Sequence, residues 1–228
     1  MKQIVNSVMA SELTTSPDWQ KHDYTVRWYD ANAARLAPTY EAVESERLHG
    51  WCLDLLPPPG ARVLDIGAGT GRDAAWLAGR GYSVVAVEPS EGMREHAIMR
   101  HANLAIEWIT DSLPDLECVP GTAAGSHDQK SNHQGFGLIL LSAVWQHVAP
   151  AHRARAFERV RGLLSPGGLT IITLRFGHSA DSRLMYQVSE EEVLELSAAH
   201  GGWVTRRERL PDRQGRPDVT WTQLALRF

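Results

Sequence analysis

The stretch Val63-Leu64-Asp65-Ile66-Gly67-Ala68-Gly69-Thr70-Gly71 decides the fold. Its first four residues read as a buried strand, and its three glycines let the backbone turn tightly and approach a ligand that a Cβ would exclude. A helical run, Arg72–Ala78, follows and closes at Gly81. Seventeen residues beyond Gly71 the next apolar run, Ser83–Glu88, ends in an acid. In a parallel sheet that carboxylate lies beside the glycine turn at the carboxyl edge, where it can accept hydrogen bonds from the hydroxyls of a ribose. These residues alone point to a nucleoside, and leave open nicotinamide or flavin cofactors or a structural turn without a ligand.

Working outward, five short apolar runs alternate with helical ones. The strands are Arg62–Ile66, Ser83–Glu88, Ile106–Thr110, Gly137–Leu141 and Leu169–Leu174; the helices are Arg72–Ala78, Glu91–Arg100 and His152–Leu164, the last closing at Gly167-Gly168. This alternation predicts parallel βαβ units. The connection from Pro120 to Gly135 is rich in Gly, Ser, His and Asn without apolar periodicity and reads as a mobile loop. Beyond the fifth strand, Ser189 and Glu192 match a capping box that opens a helix running to His200 and stopping at Gly201-Gly202. Trp203–Leu210 and Val219–Phe228 alternate apolar with polar and form a hairpin. The expectation is an α/β fold: a doubly wound, seven-stranded mixed sheet ending in an antiparallel pair.

Ahead of the sheet, Ser16-Pro17-Asp18 is a helix-start signal. Two helices are expected before Pro57-Pro58-Pro59-Gly60: one carrying Trp19, Tyr24, Trp28 and Tyr29, and one from about Glu41 burying Val43, Leu48, Cys52 and Leu55. Residues 1–56 would then be a helical cap and lid on the same domain as residues 57–228, which bind the nucleoside. The chain has 228 residues, 43% apolar and 22% charged, with a formal charge of −4, an ordinary globular composition without the basic excess that nucleic acid demands. Two cysteines, Cys52 and Cys118, are too few for a disulfide framework and lack zinc-site spacing. With no signal-peptide core and no apolar run near membrane-span length, a cytoplasmic protein without a membrane or DNA partner is expected.

In combination, Asp65-x-Gly67-x-Gly69-x-Gly71, Glu88-Pro89-Ser90-x-x-Met93 and Thr110-Asp111-Ser112-Leu113 resemble the nucleoside-binding series of the class I S-adenosylmethionine-dependent methyltransferases. The likeness runs from about Tyr40 to the C-terminus. It implies a Rossmann-like methyltransferase fold, whose antiparallel seventh strand accounts for the terminal hairpin, and S-adenosylmethionine as cofactor with S-adenosylhomocysteine as product. It also implies roles for individual residues. Asp65 would act on the methionine amino end, and Gly67, Ala68, Gly69 and Gly71 would form the wall beside methionine and ribose. Glu88 would hold the ribose hydroxyls, with Pro89 beside it. Met93 would pack on the adenine, Asp111 would accept from its amino group, and the Ser112–Leu113 backbone would meet the ring nitrogens. Ser142 would border the donor from strand four. Ala37-Pro38-Thr39-Tyr40-Glu41 resembles a segment of small-molecule members whose tyrosine meets the methionine carboxylate; Tyr40 as helix packing is the competing reading.

On the acceptor side, Leu141-Ser142-Ala143-Val144-Trp145-Gln146-His147 follows strand four. It lacks the Asp/Asn-Pro-Pro-aromatic element of amino-methylating DNA enzymes, and no Pro-Cys nucleophile occurs. His147 is the candidate general base, since an imidazole titrates near neutrality; packing is its alternative. His147 and His152 flank a helix start and no third ligand is apparent, so no metal is expected. Trp28, Tyr29 and Trp145 are candidates for an aromatic acceptor wall, Arg175 for pairing a carboxylate or phosphate, and Met185-Tyr186 for a lid. The expected activity is methyl transfer to a small or medium-sized acceptor. RNA or protein acceptors, and a monomer or homodimer, stay open. The rival readings are a nicotinamide-dependent oxidoreductase and a methyltransferase-like binding module without turnover.

Overall fold

The computed structural model describes residues 16–120, 135–179, 181–212 and 215–228. The expected loop of residues 120–135 therefore falls, apart from its two ends, outside the described residues, as do two residues of the terminal hairpin's turn.

The strands are β1 (Arg62–Ile66), β2 (Ser83–Val87), β3 (Ile106–Ile109), β4 (Phe136–Ser142), β5 (Leu164–Phe176), β6 (Trp203–Pro211) and β7 (Thr220–Arg227). They form one seven-stranded sheet in the order β3-β2-β1-β4-β5-β7-β6. β1 to β5 pair in parallel, whereas β7 runs antiparallel to β5 and β6 antiparallel to β7. The mixed doubly wound sheet read from the sequence is the observed one. The helices are α1 (Asp18–Glu41), α2 (Ser45–His49), α3 (Arg72–Gly79), α4 (Glu91–Arg100), α5 (Arg153–Leu163) and α6 (Glu190–Ala199).

Alternation along the strands sorts side chains onto two faces. Leu64, Ile66, Ile139, Leu141, Ile172 and Leu224 join one apolar cluster with Phe157 and Val160 of α5. Val63, Leu138, Leu140, Leu169, Ile171 and Ala225 join another with Ala74 and Leu77 of α3. At the carboxyl edge of this second face the apolar series gives way to polar residues. Asp65, Ser142, Thr173 and Gln223 continue β1, β4, β5 and β7, with Ser142 opposite Thr173 and Thr173 opposite Gln223. A buried face that turns polar only at one edge is where a ligand site is built.

Five local expectations change. The first helix runs unbroken to Glu41 and contains Pro38; it buries Thr25, Trp28, Ala33 and Leu36 as one stripe. Trp19, expected on that stripe, is 64% exposed. The expected second helix is instead α2 followed by a 3₁₀ turn over Gly50–Leu55, because Cys52 leaves helical geometry (φ −131°). Ser45 and His49, not Val43 and Leu48, are its buried positions. The helix-start signal places Pro17, whose side chain has no acceptor, at the cap position of α1 in place of Ser16. Ser189 does cap α6, accepting from the Glu192 amide (3.2 Å), but the Glu192 carboxylate is drawn away by Arg153 at 2.7 Å. Gly167-Gly168 does not close α5: the helix ends at Leu163 and passes directly into β5.

Candidate active site

A cavity of about 290 Å³ opens over the carboxyl edge, between the sheet, α1 and the hairpin. Its wall begins with the glycine turn. Gly67, Gly69 and Gly71 have φ of 67°, 58° and 80°, a region that L-residues with a Cβ rarely adopt. The Gly67 and Ala68 amides donate to the Val87 carbonyl (2.8 and 3.0 Å), which ties the turn to the end of β2. The Gly69 amide donates to Glu88 Oε2 (2.8 Å) and the Ser90 amide to Oε1 (2.9 Å). Glu88 is thus fixed by backbone and keeps lone pairs for a ligand's hydroxyls. It is 6% exposed, and burial pushes its carboxyl up to about 7.

The three glycines serve different ends. A Cβ on Gly67 would lie 2.5 Å from Val144 Cγ2, and one on Gly71 would lie 2.9 Å from Trp108 Cη2; one on Gly69 would meet nothing within 4 Å. Gly71 is therefore a packing position where α3 passes β3 and α4, and it does not line the cavity, contrary to the expected wall role. Ala68 and Gly69 do line it.

Asp65, at the end of β1, is 1% exposed, and its Oδ2 has no partner among the described residues. Burial first, and the charge of Asp73 second, push its carboxyl well above the usual range. A buried carboxylate with an orphaned oxygen fits a cationic ligand, as the methionine ammonium of S-adenosylmethionine is. Asp73 itself is saturated: Ser45 Oγ donates to it at 2.6 Å, Arg72 clasps it with two bonds (2.9 and 2.8 Å), and His49 Nε2 stands 3.3 Å away. Against its burial, His49 and Arg72 hold Asp73 well below the carboxylate range. This cluster keeps one acid charged beside another and places a dense polar support beside Asp65.

Pro89, Met93, Asp111, Ser112, Leu113 and Ser142 also line the cavity. Asp111 has both oxygens on loop amides, Ser112 N (2.7 Å) and Cys118 N (2.6 Å), so it shapes the loop as well as facing the site. Met93 is 1% exposed and packs with Trp28, Ala33 and Leu36 of α1. The N-terminal helix is anchored there by Asp30, which accepts from Ser90 Oγ (2.6 Å) and the Gly92 amide (3.1 Å).

Across the cavity, His147 Nδ1 lies 3.0 Å from the Leu184 carbonyl and Nε2 3.0 Å from Tyr29 Oη. A carbonyl only accepts, so Nδ1 carries the proton and Nε2 accepts from the tyrosine hydroxyl. Burial pushes the imidazole down to about 4, so it is neutral near pH 7. Arg183 lines the same region. It pairs with Asp181 through two bonds (3.1 and 2.9 Å), donates to Tyr40 Oη (2.9 Å), and lies over the Trp28 ring at 4.9 Å. Tyr40 therefore reaches the cavity from α1 as expected, held by an arginine that sequence reading passed over.

Of the expected aromatic wall, only Tyr29 lines the cavity. Trp28 stands behind it, edge-on at 5.3 Å, with its indole N–H on Ser182 Oγ (3.0 Å). Trp145 is fully buried and edge-on to Phe157 (6.2 Å) in the α5-side core; the turn after β4 carries it through to that face. Ala143, at φ 60°, makes that turn. Arg175 and Met185 line the cavity. His147 and His152 do not converge, since His152 Nε2 faces Asp18 at 3.4 Å.

Comparison with known proteins bears on the family and the fold. The methyltransferase domain family matches residues 40–208. An uncharacterized methyltransferase of Mycobacterium tuberculosis is 32% identical over 174 residues, 74% of this chain and 60% of that protein. Rat glycine N-methyltransferase is 28% identical over 165 residues, 65% of this chain and 53% of that enzyme. The matched region thus spans little more than half the length of these relatives. A Leishmania major S-adenosylmethionine-dependent methyltransferase structure superposes with a TM-score of 0.70 at 16% identity, covering 97% of this chain and 90% of that one. The Burkholderia thailandensis 1,6-didemethyltoxoflavin N1-methyltransferase, solved with S-adenosylhomocysteine, gives 0.58 at 21% identity, covering 99% and 89%. The chain belongs to the class I S-adenosylmethionine-dependent methyltransferase family.

Proposed function

We propose that this protein transfers the methyl group of S-adenosylmethionine to a small or medium-sized acceptor and releases S-adenosylhomocysteine. The observation that carries the donor assignment is the joint placement of Glu88, locked by the Gly69 and Ser90 amides, and Asp65, buried with an unpartnered oxygen, on either side of one glycine turn. When bound, the donor supplies a methyl carbon on a sulfonium, open to in-line displacement by the acceptor's lone pair. Glu88 holds the ribose diol and Asp65 the ammonium. Met93, Pro89 and Leu113 enclose the adenine in an apolar slot, with Asp111, Ser112 and Ser142 at its rim. Tyr40 meets the amino-acid end from α1.

Much of the barrier reduction in such a displacement comes from holding the partners in contact in a dry site. In this reading α1 supplies the dry roof, with residues 1–56 as the cap and residues 57–228 as the donor-binding domain. Where the acceptor is a hydroxyl or an ammonium, its proton passes to Tyr29 as that residue's own proton moves to His147 Nε2, leaving an imidazolium bonded to the Leu184 carbonyl. Arg175 faces the acceptor's polar end. The acceptor is a small molecule rather than DNA, and the protein works as a cytoplasmic monomer or homodimer. No helix among the described residues is long and apolar enough to cross a membrane, and Cys52 and Cys118 are free thiols.

Calorimetric titration with S-adenosylhomocysteine tests the donor assignment. Glu88→Ala and Asp111→Ala are each expected to weaken binding at least tenfold; unchanged affinity in both would sink the assigned cleft.

A further inference from the structure

We propose that the arm of the cavity over the ends of β5 and β7 is the seat of an anionic group on the acceptor, an organic carboxylate, with Arg175 as its ion partner and Thr173 and Gln223 as hydrogen-bonding neighbours. Calling that ligand the acceptor rests on the methyl-transfer reading; the anion seat itself does not.

The argument begins with charge. Arg175 is 9% exposed, and its guanidinium donates to the carbonyls of Gly177 (2.6 Å) and His178 (2.9 Å), leaving the rest of its donor fork unused among the described residues. No carboxylate among those residues forms an ion pair with it. The nearby acids are committed elsewhere: Asp181 to Arg183, and Asp212 to Arg216 (2.7 and 3.0 Å) and to the Trp221 indole (2.9 Å). Three arginines thus face two carboxylates. Burial, and after it the charges of Arg216 and Arg183, lower the proton affinity of Arg175 against the smaller opposing pull of Asp212 and Asp181. A buried cation without a partner is costly, and a planar donor fork matches a carboxylate with two parallel bonds.

The neighbours are polar and unspent. Thr173 lies one pleat below Arg175 on the same face, 6% exposed, with no partner for its hydroxyl among the described residues. Gln223 is its cross-strand partner on β7, 2% exposed; its amide nitrogen donates to the Leu48 carbonyl (3.2 Å) while Oε1 has no partner. An amide oxygen accepts, so the acceptor carries an N–H or O–H near its anion. Trp221, Leu210 and Pro211 give this arm an apolar wall for the acceptor's body. β4 lies between β1 and β5, so the backbones of Asp65 and Arg175 stand about 10 Å apart, from the ~4.8 Å spacing of neighbouring strands, and saturating the site with S-adenosylhomocysteine keeps the donor's own carboxylate out of the comparison below.

The test uses saturation-transfer NMR on the full chain saturated with S-adenosylhomocysteine. Benzoate and glycolate are titrated beside their neutral amides, with inorganic phosphate as competitor. Both acids are expected to bind at least tenfold more tightly than the amides, and Arg175→Gln to cost the acids tenfold while changing S-adenosylhomocysteine affinity less than twofold. Thr173→Val, nearly isosteric, is expected to weaken glycolate severalfold. Displacement of benzoate by phosphate, abolished in Arg175→Gln, would support the seat and make its natural occupant a phosphoryl group. Equal affinity for acid and amide, no binding of either, or unchanged binding in Arg175→Gln would overturn the proposal. The acid–amide comparison on the unaltered chain decides the matter if Arg175→Gln does not fold. Discrimination of acids without S-adenosylhomocysteine binding would keep the anion seat and sink the donor reading.

Discussion

Gly69→Ala separates what the glycine turn does for the fold from what it does for the ligand. The added Cβ meets no atom within 4 Å, so the folded chain bears no steric clash. What it bears is the φ of 58°, which costs an L-residue ~1–2 kcal/mol. Ala also loses less freedom on folding than Gly, which returns ~0.4–1 kcal/mol. The net loss is about 1 kcal/mol, or roughly 2–4 °C in melting temperature for a chain of this size. The methyl group, however, projects where the backbone must approach the donor, and the neighbouring amide positions Glu88. A tenfold or greater loss of S-adenosylhomocysteine affinity, about 1.4 kcal/mol or more, is expected. Thermal denaturation and calorimetry on the same preparation measure both quantities. Gly71→Ala provides the opposite control: its Cβ would press on Trp108, Ala97 and His101, so it should lower the melting temperature further without adding an atom to the cavity. If Gly69→Ala melts slightly lower yet binds the ligand within twofold of the unaltered chain, the glycine turn is not the donor wall.

Further outcomes follow from the same site. Glu88 titrates near 7 in the folded chain against an ordinary 4.5, so the folded state binds the extra proton between these values and stability falls as pH rises through that window, by about 3 kcal/mol at ~1.4 kcal/mol per pH unit. Denaturant titrations at pH 5 and pH 8 should show that slope as the difference between the unaltered chain and Glu88→Gln, because Asp65 and His147, which titrate in both, cancel; an identical slope in both would contradict the assignment. Replacing His147 with Ala should lower turnover by about 10²-fold or more with ligand affinity nearly unchanged, and kcat should show no imidazole limb near pH 6.5, since the ring titrates at about 4. A kcat limb at 6.5 would mean that the ring is solvated during turnover. Trp145→Ala, a core truncation, should cost about 3–5 kcal/mol of stability and leave donor affinity intact in the folded fraction; a selective loss of acceptor binding would return Trp145 to the acceptor wall.

The sheet was legible because its signals are local. β1 and β2 are nearly continuous β-branched and apolar runs, with the glycines and Glu88 at their ends within a few residues, and the terminal hairpin announces itself by its own alternation. The helical cap was less so. Pro38 sits in the last turn of α1, where it leaves the stripe of Thr25, Trp28, Ala33 and Leu36 to be buried together with Met93 of α4. Ser45 and His49 face inward for a reason absent from their own segment: Asp73 lies 28 residues beyond Ser45 in the chain, and only the fold brings them together. Arg183, Asp30 and Gln223 share this character. Each is an ordinary residue in its local stretch and acquires meaning through a partner on another element. Trp145 shows the converse, since an aromatic at the end of β4 is aimed at the core by one residue in left-handed geometry, Ala143. Residues fixed by backbone conformation could be read in advance, whereas those fixed by a distant polar partner could not.

The central claim is that the cleft between the glycine turn and Glu88 holds the methyl donor. Calorimetric titration of the purified, folded chain with S-adenosylhomocysteine, S-adenosylmethionine and NADH addresses it most directly. One-site micromolar binding of the first two and none of NADH is the predicted result. Binding of NADH alone, or of no ligand to a protein that melts cooperatively, would contradict the account.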